Sequence, residues 1–311
     1  MRFVVFFICF ISCFGATEYE RASSYPYLSG DTWRFFADHR LGGKETFDPA
    51  DVQLGDTIFV EYDALKRFGR KYLPKIKNRF ILITPNCESG TDSPQPGRFA
   101  YLLDSPKLAH WFVQNIDREP SERVVPIPIG LANQVWPHGQ VSVLEPLAKS
   151  APKEERDCFV YMNFSLHTNR SAREPCFAHF APIASLIAQG ACSFNAYLTD
   201  LSRTVFVVSP PGNGLDCHRT WEALWMGCYP IVMGSTLNPL YEGLPVVVVS
   251  NWDEVTEEFL RAKQEEFQGK EFDYAKLYAP YWYGKVFAKQ RALRENPTFK
   301  EKIYSWFLSK S

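Results

Sequence analysis

Short apolar runs recur along the chain, each closed by a cluster of Gly, Pro, Asn, Ser or Asp and followed by a stretch with helical spacing. In the first half, residues 55–63 read as a turn leading into a strand, 64–72 as a helix and 79–84 as a buried strand. Residues 107–116 predict a helix, and 124–129 an extended segment whose prolines place it at a sheet edge. Between residues 25 and 39, Ser29-Gly-Asp-Thr32 precedes Trp33 and Phe36, so Asp31 or Thr32 is expected to cap a helix there. The second half repeats the pattern: strands at 158–162, 205–208, from Ile231 and at 244–249, with helices containing Arg173, over 216–226 and over 252–263. An aromatic-rich helical stretch at 271–294 and an amphipathic helix at 297–308 end the chain. Strands alternating with helices predict parallel α/β sheets. The polar, proline-punctuated stretch 143–157 reads as a linker between one domain at 17–150 and another at 151–311.

Residues 205–234 carry most of the chemistry. Val205-Phe-Val-Val208 is a strand that Ser209-Pro-Pro-Gly-Asn-Gly214 cannot continue, and a helix follows until Gly227 stops it. At roughly 100° per residue, His218, Arg219 and Glu222 share one side of that helix, and Cys217, Trp221, Leu224 and Trp225 the other. A Gly-rich loop entering a helix N-terminus offers unpaired N–H groups and partial positive charge to an anion, above all a phosphate. Arg219 can add charge-assisted hydrogen bonds to phosphate oxygens, and Glu222 can accept from sugar hydroxyls. A surface ion pair between the two is the plain alternative. The loop weighs against it, because Pro-Pro-Gly-Asn-Gly is costly to order unless something approaches its backbone closely. Gly212, Asn213, Gly214, Asp216 and His218 complete this candidate anion site.

The run Ser209-Pro-Pro-Gly-Asn-Gly-Leu-Asp-Cys-His-Arg-Thr-Trp-Glu-Ala-Leu224, with Gly227-Cys-Tyr-Pro-Ile-Val232, resembles the donor-site motif of exostosin-like glycosyltransferases. The resemblance covers about thirty residues and implies the GT-B fold, two Rossmann-like domains facing a cleft. It implies that Arg219 meets the diphosphate of a nucleotide-sugar donor and Glu222 its ribose. It further implies that the loop opening at Asn163 faces the donor and that a basic residue there, Arg170 or Arg173, assists the diphosphate. The activity implied is transfer of a hexosyl or pentosyl group to a hydroxyl acceptor on a glycan, glycoprotein or glycolipid. No Asp-x-Asp motif of metal-dependent transferases occurs, so neither metal nor cofactor is expected.

In parallel sheets ligands gather beyond the C-terminal ends of strands, which directs attention to the loops at 61–63, 86–92 and 130–138. Asp31, Glu61, Asp63, Glu88 and Asp92 are candidate general bases, with Asp31 taken as the catalytic choice. Asn86, Asn133 and His138 are the acceptor-side candidates. A helix cap for Asp31 and a structural role for His138 are the plain alternatives.

Composition narrows the rest. The chain has 311 residues, 46% hydrophobic and 22% charged, with a net charge of −1 that gives no reason to expect nucleic acid. Residues 1–16 have the charged start, short apolar core and small-residue exit of a secretory signal peptide, implying the secretory lumen or export. Membrane association is expected only through that segment. The six further cysteines contain no CxxC pair, which argues against zinc, and Cys217 and Cys228 are expected to pack in the core. Asn163-Phe-Ser165 and Asn169-Arg-Ser171 match glycosylation acceptors, whose glycans would crowd the proposed cleft. A secreted carbohydrate-binding or scaffold protein without turnover is the second functional reading.

Overall fold

Thr57–Val60 (β2) and Phe80–Thr84 (β3) bury every side chain in the computed structural model, as strands covered on both faces require. The structure describes residues 21–88, 99–151, 156–188 and 192–298. The leader at 1–16, Asp92 and all but the first two residues of the expected helix at 297–308 lie outside them. The chain is α/β, with two parallel sheets of five strands, each made from one contiguous half of the sequence.

The first sheet adds His39–Leu41 (β1), Leu108–Val113 (β4) and Val124–Pro126 (β5), in the order β1-β2-β3-β4-β5. β5 is an edge strand, where Pro126 costs no ladder hydrogen bond. The stretch expected to be a helix at 107–116 is β4, paired in parallel with β3 on one side and β5 on the other. Leu108-Ala-His-Trp-Phe-Val113 satisfies either period over so short a run. Pairing decides it, because as a strand it buries Leu108, Trp111, Phe112 and Val113, and Trp111 Nε1 donates to Thr84 Oγ1 at 2.8 Å. The first helix spans Gly30–Phe36, and its cap is Ser29 rather than Asp31 or Thr32: Ser29 Oγ accepts from Thr32 N at 3.1 Å.

The expected linker begins instead as a helix, Val141–Ser150, which buries Leu144 and packs against the helix Phe194–Ser202 of the second half. Pro146, Glu145 and Lys149 belong to one amphipathic helix, while residues 152–155 lie outside the described set. The second sheet comprises Cys158–Met162 (β6), Leu186–Ile187 (β7), Thr204–Val208 (β8), Tyr229–Met233 (β9) and Val247–Val249 (β10). Its order is β10-β9-β8-β6-β7. The chain leaves β6 toward β7 on one side and later returns to β8 on the other, so the strand order reverses between β6 and β8. In open parallel sheets that reversal opens a crevice beyond the carboxyl ends of the two strands.

The helix Ala279–Glu295 lies against the first half of the chain. Tyr283 Oη donates to Thr32 O at 2.9 Å, Gln290 Nε2 to Gly55 O at 3.0 Å and Arg294 Nε to Leu54 O at 3.1 Å. Among the described residues no helix is long and apolar enough to cross a membrane.

Candidate functional site

The loop after β8 reaches the helix His218–Trp225 through a set of buried anchors. Ser209 Oγ and Thr220 Oγ1 share a hydrogen bond of 2.9 Å across the loop. Asp216 is 4% exposed. Its carboxylate accepts from Ile129 N at 2.8 Å, from Cys217 N at 2.9 Å and from Trp221 Nε1 at 2.9 Å. Asp216 N donates in turn to Asn115 Oδ1 at 2.8 Å. Gly214 abuts the same asparagine, and a Cβ there would stand 2.2 Å from Asn115 Nδ2, so any larger residue would push the Asn115 side chain off its partners. No side chain caps the helix at Cys217, although Thr220 N donates to Cys217 O at 3.1 Å within the first turn. At the other end Gly227 takes φ +72°, the left-handed conformation that stops the helix.

A cavity of about 490 Å³ opens at the β6/β8 reversal. Asn163 and Thr168 after β6, and Gly212, Asn213, Gly214, Asp216 and Cys217 after β8, line it together with His218, Arg219 and Glu222 of the helix. Arg173, Cys192, Phe194 and Tyr197 add to the same walls, and Glu88, Ile129 and His138 come from the first half of the chain.

Two arginines meet here. Arg219 Nε donates to Asn163 O at 2.8 Å, and its Nη1 is buried with no hydrogen-bond partner. Arg173 Nε donates to Pro211 O at 2.8 Å and Nη1 to Ser165 O at 2.7 Å. Both guanidiniums lie over the Phe164 ring, at 5.6 Å for Arg219 and 5.7 Å for Arg173. Burial, and then the charge of Arg219, lowers the Arg173 pKa from its ordinary value. Carbonyl partners satisfy these N–H groups without cancelling either positive charge.

Glu222 is 4% exposed, and burial pushes its carboxyl up to about 7 despite Tyr197 and Arg219 nearby. The Tyr197 hydroxyl beside it is buried and makes no well-directed hydrogen bond. Burial also raises Asp216 to about 7, against the pull of its three N–H donors. His218 moves the other way: desolvation takes it down to about 4, while Nδ1 donates to Gly130 O at 2.8 Å. Its ring meets that of His138 edge to face at 6.4 Å, and His138 stacks on Trp136 at 6.3 Å.

The remaining candidates lie elsewhere. Arg170, the other basic residue considered after β6, is on the surface with His167 and Glu174 and does not line the cavity. Asp31 is fully buried away from it: Arg21 Nη2 is 2.6 Å from Asp31 Oδ1, and Arg21 also pairs with Glu61. Asn86 lines a second cavity of about 400 Å³ with Glu61, Tyr62, Asp63 and Glu88. Asn133 joins the two regions, accepting from Asp31 N at 2.8 Å and donating to Asn86 Oδ1 at 3.4 Å. Cys228 is buried in the core, but Cys217, expected to join it, lines the cavity: the helix starts two residues later than expected, at His218, and Cys217 is its N-cap. The six described cysteines are free. Both sequon asparagines are engaged, Asn163 Nδ2 donating to Tyr161 Oη at 2.8 Å and Asn169 Nδ2 to Gly212 O at 2.8 Å. Among the described residues no three His, Cys, Asp or Glu side chains converge as metal ligands.

Sequence reasoning missed Asn115, Phe164 and Tyr197. Asn115 was hidden by reading β4 as a helix; it takes φ +54° just beyond the strand, a conformation asparagine tolerates. Tyr197 had a signal, since Phe194, Tyr197, Leu198 and Leu201 follow helical spacing behind Ser193, whose side chain caps that helix. Phe164 carried none, because its role exists only once two arginines from different segments meet over it.

No family model and no curated protein matches the chain. Among solved structures, one titled "Crystal structure of GtfA/B complex" is similar over 83% of this chain at 12% identity, with a TM-score of 0.32. The aligned region spans 58% of that chain's length.

Proposed function

We propose that the chain is a glycosyltransferase of the GT-B type, resembling the exostosin-like enzymes, with the cavity at the β6/β8 reversal as its nucleotide-sugar site. One observation carries the reading: Arg219 and Arg173 stand side by side on the cavity wall, held by carbonyls, with Arg219 Nη1 buried and unpartnered. A buried unpaired N–H and two positive charges held directly by carbonyls alone are costly, and a diphosphate would satisfy both. Asn213, Gly214 and the helix N-terminus, which no side chain caps, add backbone donors at the same place, while Gly212 N is held by Gly214 O at 3.0 Å.

In this reading negative charge builds on the departing diphosphate as the glycosidic bond breaks. Preorganised donors at that point lower the barrier. Glu222 and the Tyr197 hydroxyl, deeper on the same wall, take the sugar hydroxyls of the nucleotide. The first half of the chain, which supplies Glu88, Ile129 and His138, is the acceptor side. The donor residues proposed are therefore Asn163, Arg173, Gly212, Asn213, Gly214, Arg219 and Glu222, with Asp216 shaping the loop rather than offering free acceptors and His218 turned to the Gly130 carbonyl instead of the donor.

The test is calorimetric titration of the chain with UDP, GDP and their sugar conjugates, beside Arg219→Ala. Micromolar affinity for one nucleotide, lowered at least 100-fold in the folded variant, is expected from losing a charge-assisted contact. Absence of binding by well-folded protein overturns the proposal and leaves the non-catalytic carbohydrate-binding reading.

A further inference from the structure

Transfer in a single displacement needs a proton acceptor across the reacting carbon from the leaving diphosphate. The carboxylates and imidazoles on the cavity wall are Glu88, His138, Asp216, His218 and Glu222. Asp216 spends its oxygens on Ile129, Cys217 and Trp221. Glu88, from the first half, is tied to the donor loop, accepting from Asn213 Nδ2 at 3.1 Å. Glu222 is buried one turn along the helix from Arg219, beside Tyr197. His138 leans on Trp136, a stacking contact that leaves its tautomer unset.

His218 differs from all of these. Its Nδ1 carries the proton, because it donates to the Gly130 carbonyl at 2.8 Å, which leaves the Nε2 lone pair to the cavity. That carbonyl is rigidly placed. Gly130 has φ +63°, a Cβ there would stand 2.2 Å from Leu28 O, and Leu131 N donates to the same Leu28 O at 2.8 Å. The first half of the chain therefore sets the tautomer of a residue in the second. His218 and Arg219 are consecutive on the helix and diverge by roughly 100°. The imidazole turns to Gly130 and His138, the guanidinium to Asn163 and Phe164. A lone pair and a charge held by carbonyls thus diverge from adjacent helix positions within the lining of one cavity.

We propose that His218 is the catalytic base that deprotonates the acceptor hydroxyl, an assignment that rests on the nucleotide-sugar reading above. The acceptor O–H bond breaks as its proton passes to Nε2, and the oxygen forms the new bond to the anomeric carbon. The bond from that carbon to the diphosphate oxygen breaks, and its electron pair leaves on the diphosphate beside Arg219. The configuration inverts, and the imidazolium afterwards returns its proton to solvent. The groups facing His218 are His138 and the Gly130 carbonyl from the first half, and Arg219 from its own helix. Desolvation, and then His138 and Arg219, keep the imidazole neutral in the empty cavity at pH 6 and above. A bound diphosphate opposes that depression and strengthens the base.

His218→Asn keeps an N–H for Gly130 but removes the Nε2 lone pair, and His218→Gln serves as a second variant should the first fail to fold. Long-range nitrogen–proton correlation spectra of the wild-type chain should show His218 as the neutral Nδ1–H tautomer at pH 6–8. Either folded variant should bind UDP or GDP within about threefold of wild type. Release of nucleotide from the matching sugar conjugate should fall by roughly 10²–10⁴-fold, and the acid limb of its pH profile should vanish. Equal losses of affinity and turnover would make His218 a diphosphate contact and overturn the assignment, as would unchanged turnover, an Nε2–H tautomer or a product of retained configuration. Wild-type protein that binds no nucleotide would remove the donor site and this base together, whereas intact binding with unchanged variant turnover removes the base alone.

Discussion

Two buried arginine clusters divide the molecule by what holds them. Arg21 lies between Asp31 and Glu61, two carboxylates that cancel its charge, and their hydrogen bonds outweigh burial and raise its pKa. Arg219 and Arg173 are held by the carbonyls of Asn163, Pro211 and Ser165, which accept hydrogen bonds and leave the charge standing. The first arrangement carries its own counter-charge, although Asp31 Oδ2 is buried without a hydrogen-bond partner. The second is complete only with an anion in the cavity. Residue type alone would not separate them, since each is arginine beside polar partners; the sign of the partner does.

The largest expected effect probes the completed cluster. Arg21→Ala leaves Asp31 buried and unpaired, which should cost about 3 kcal/mol of stability in denaturant titrations while leaving nucleotide affinity unchanged. A loss of affinity without a loss of stability would reverse the assignment of the two clusters. Next is a pH effect at Glu222. Its folded pKa, raised from 4.5 to about 7, means that stability is present below the unfolded value and is lost as pH rises through about 7. Glu222→Gln should therefore be more stable than wild type at pH 8, by up to roughly 3 kcal/mol, with the gain fading by pH 5. Melting curves at both pH values check this, and a gain equal at the two would refute it. Gly214→Ala drives a methyl into Asn115 and should cost about 1–3 kcal/mol with a comparable loss of nucleotide affinity. The smallest change is expected at the exposed Arg170, where Ala should shift affinity less than twofold and stability by under about 0.5 kcal/mol.

The α/β class, the loop after β8 and the helix behind it were legible because their signals are local. Val205 to Val208, the Pro-Pro-Gly-Asn-Gly break and the Gly227 stop each depend on neighbours in sequence. Gly212 to Gly214, Arg219 and Glu222 were named from that pattern, Asn163 and Arg173 from the family resemblance, and they line one cavity. Errors arose where a local signal was ambiguous and pairing decided. Leu108–Val113 fits a helix or a strand until β3 and β5 flank it, and Val141–Ser150 looks like a linker until the helix Phe194–Ser202 covers its apolar side.

Charge balance was the part that sequence could not express. Asp31, chosen as the base among the carboxylates of the first half, is buried against Arg21, a residue ten positions away. Asp216 looks like a ligand in the motif, yet its oxygens face Ile129, Cys217 and Trp221. His218 acquires one defined tautomer from Gly130, 88 residues distant. Sequence by itself determined which backbone could bend and which residue types would stand near an anion, because turn chemistry and helical period act over a few residues. Tertiary structure decided which of those groups keep a free charge or lone pair, because desolvation and partner identity depend on contacts between segments far apart in the chain.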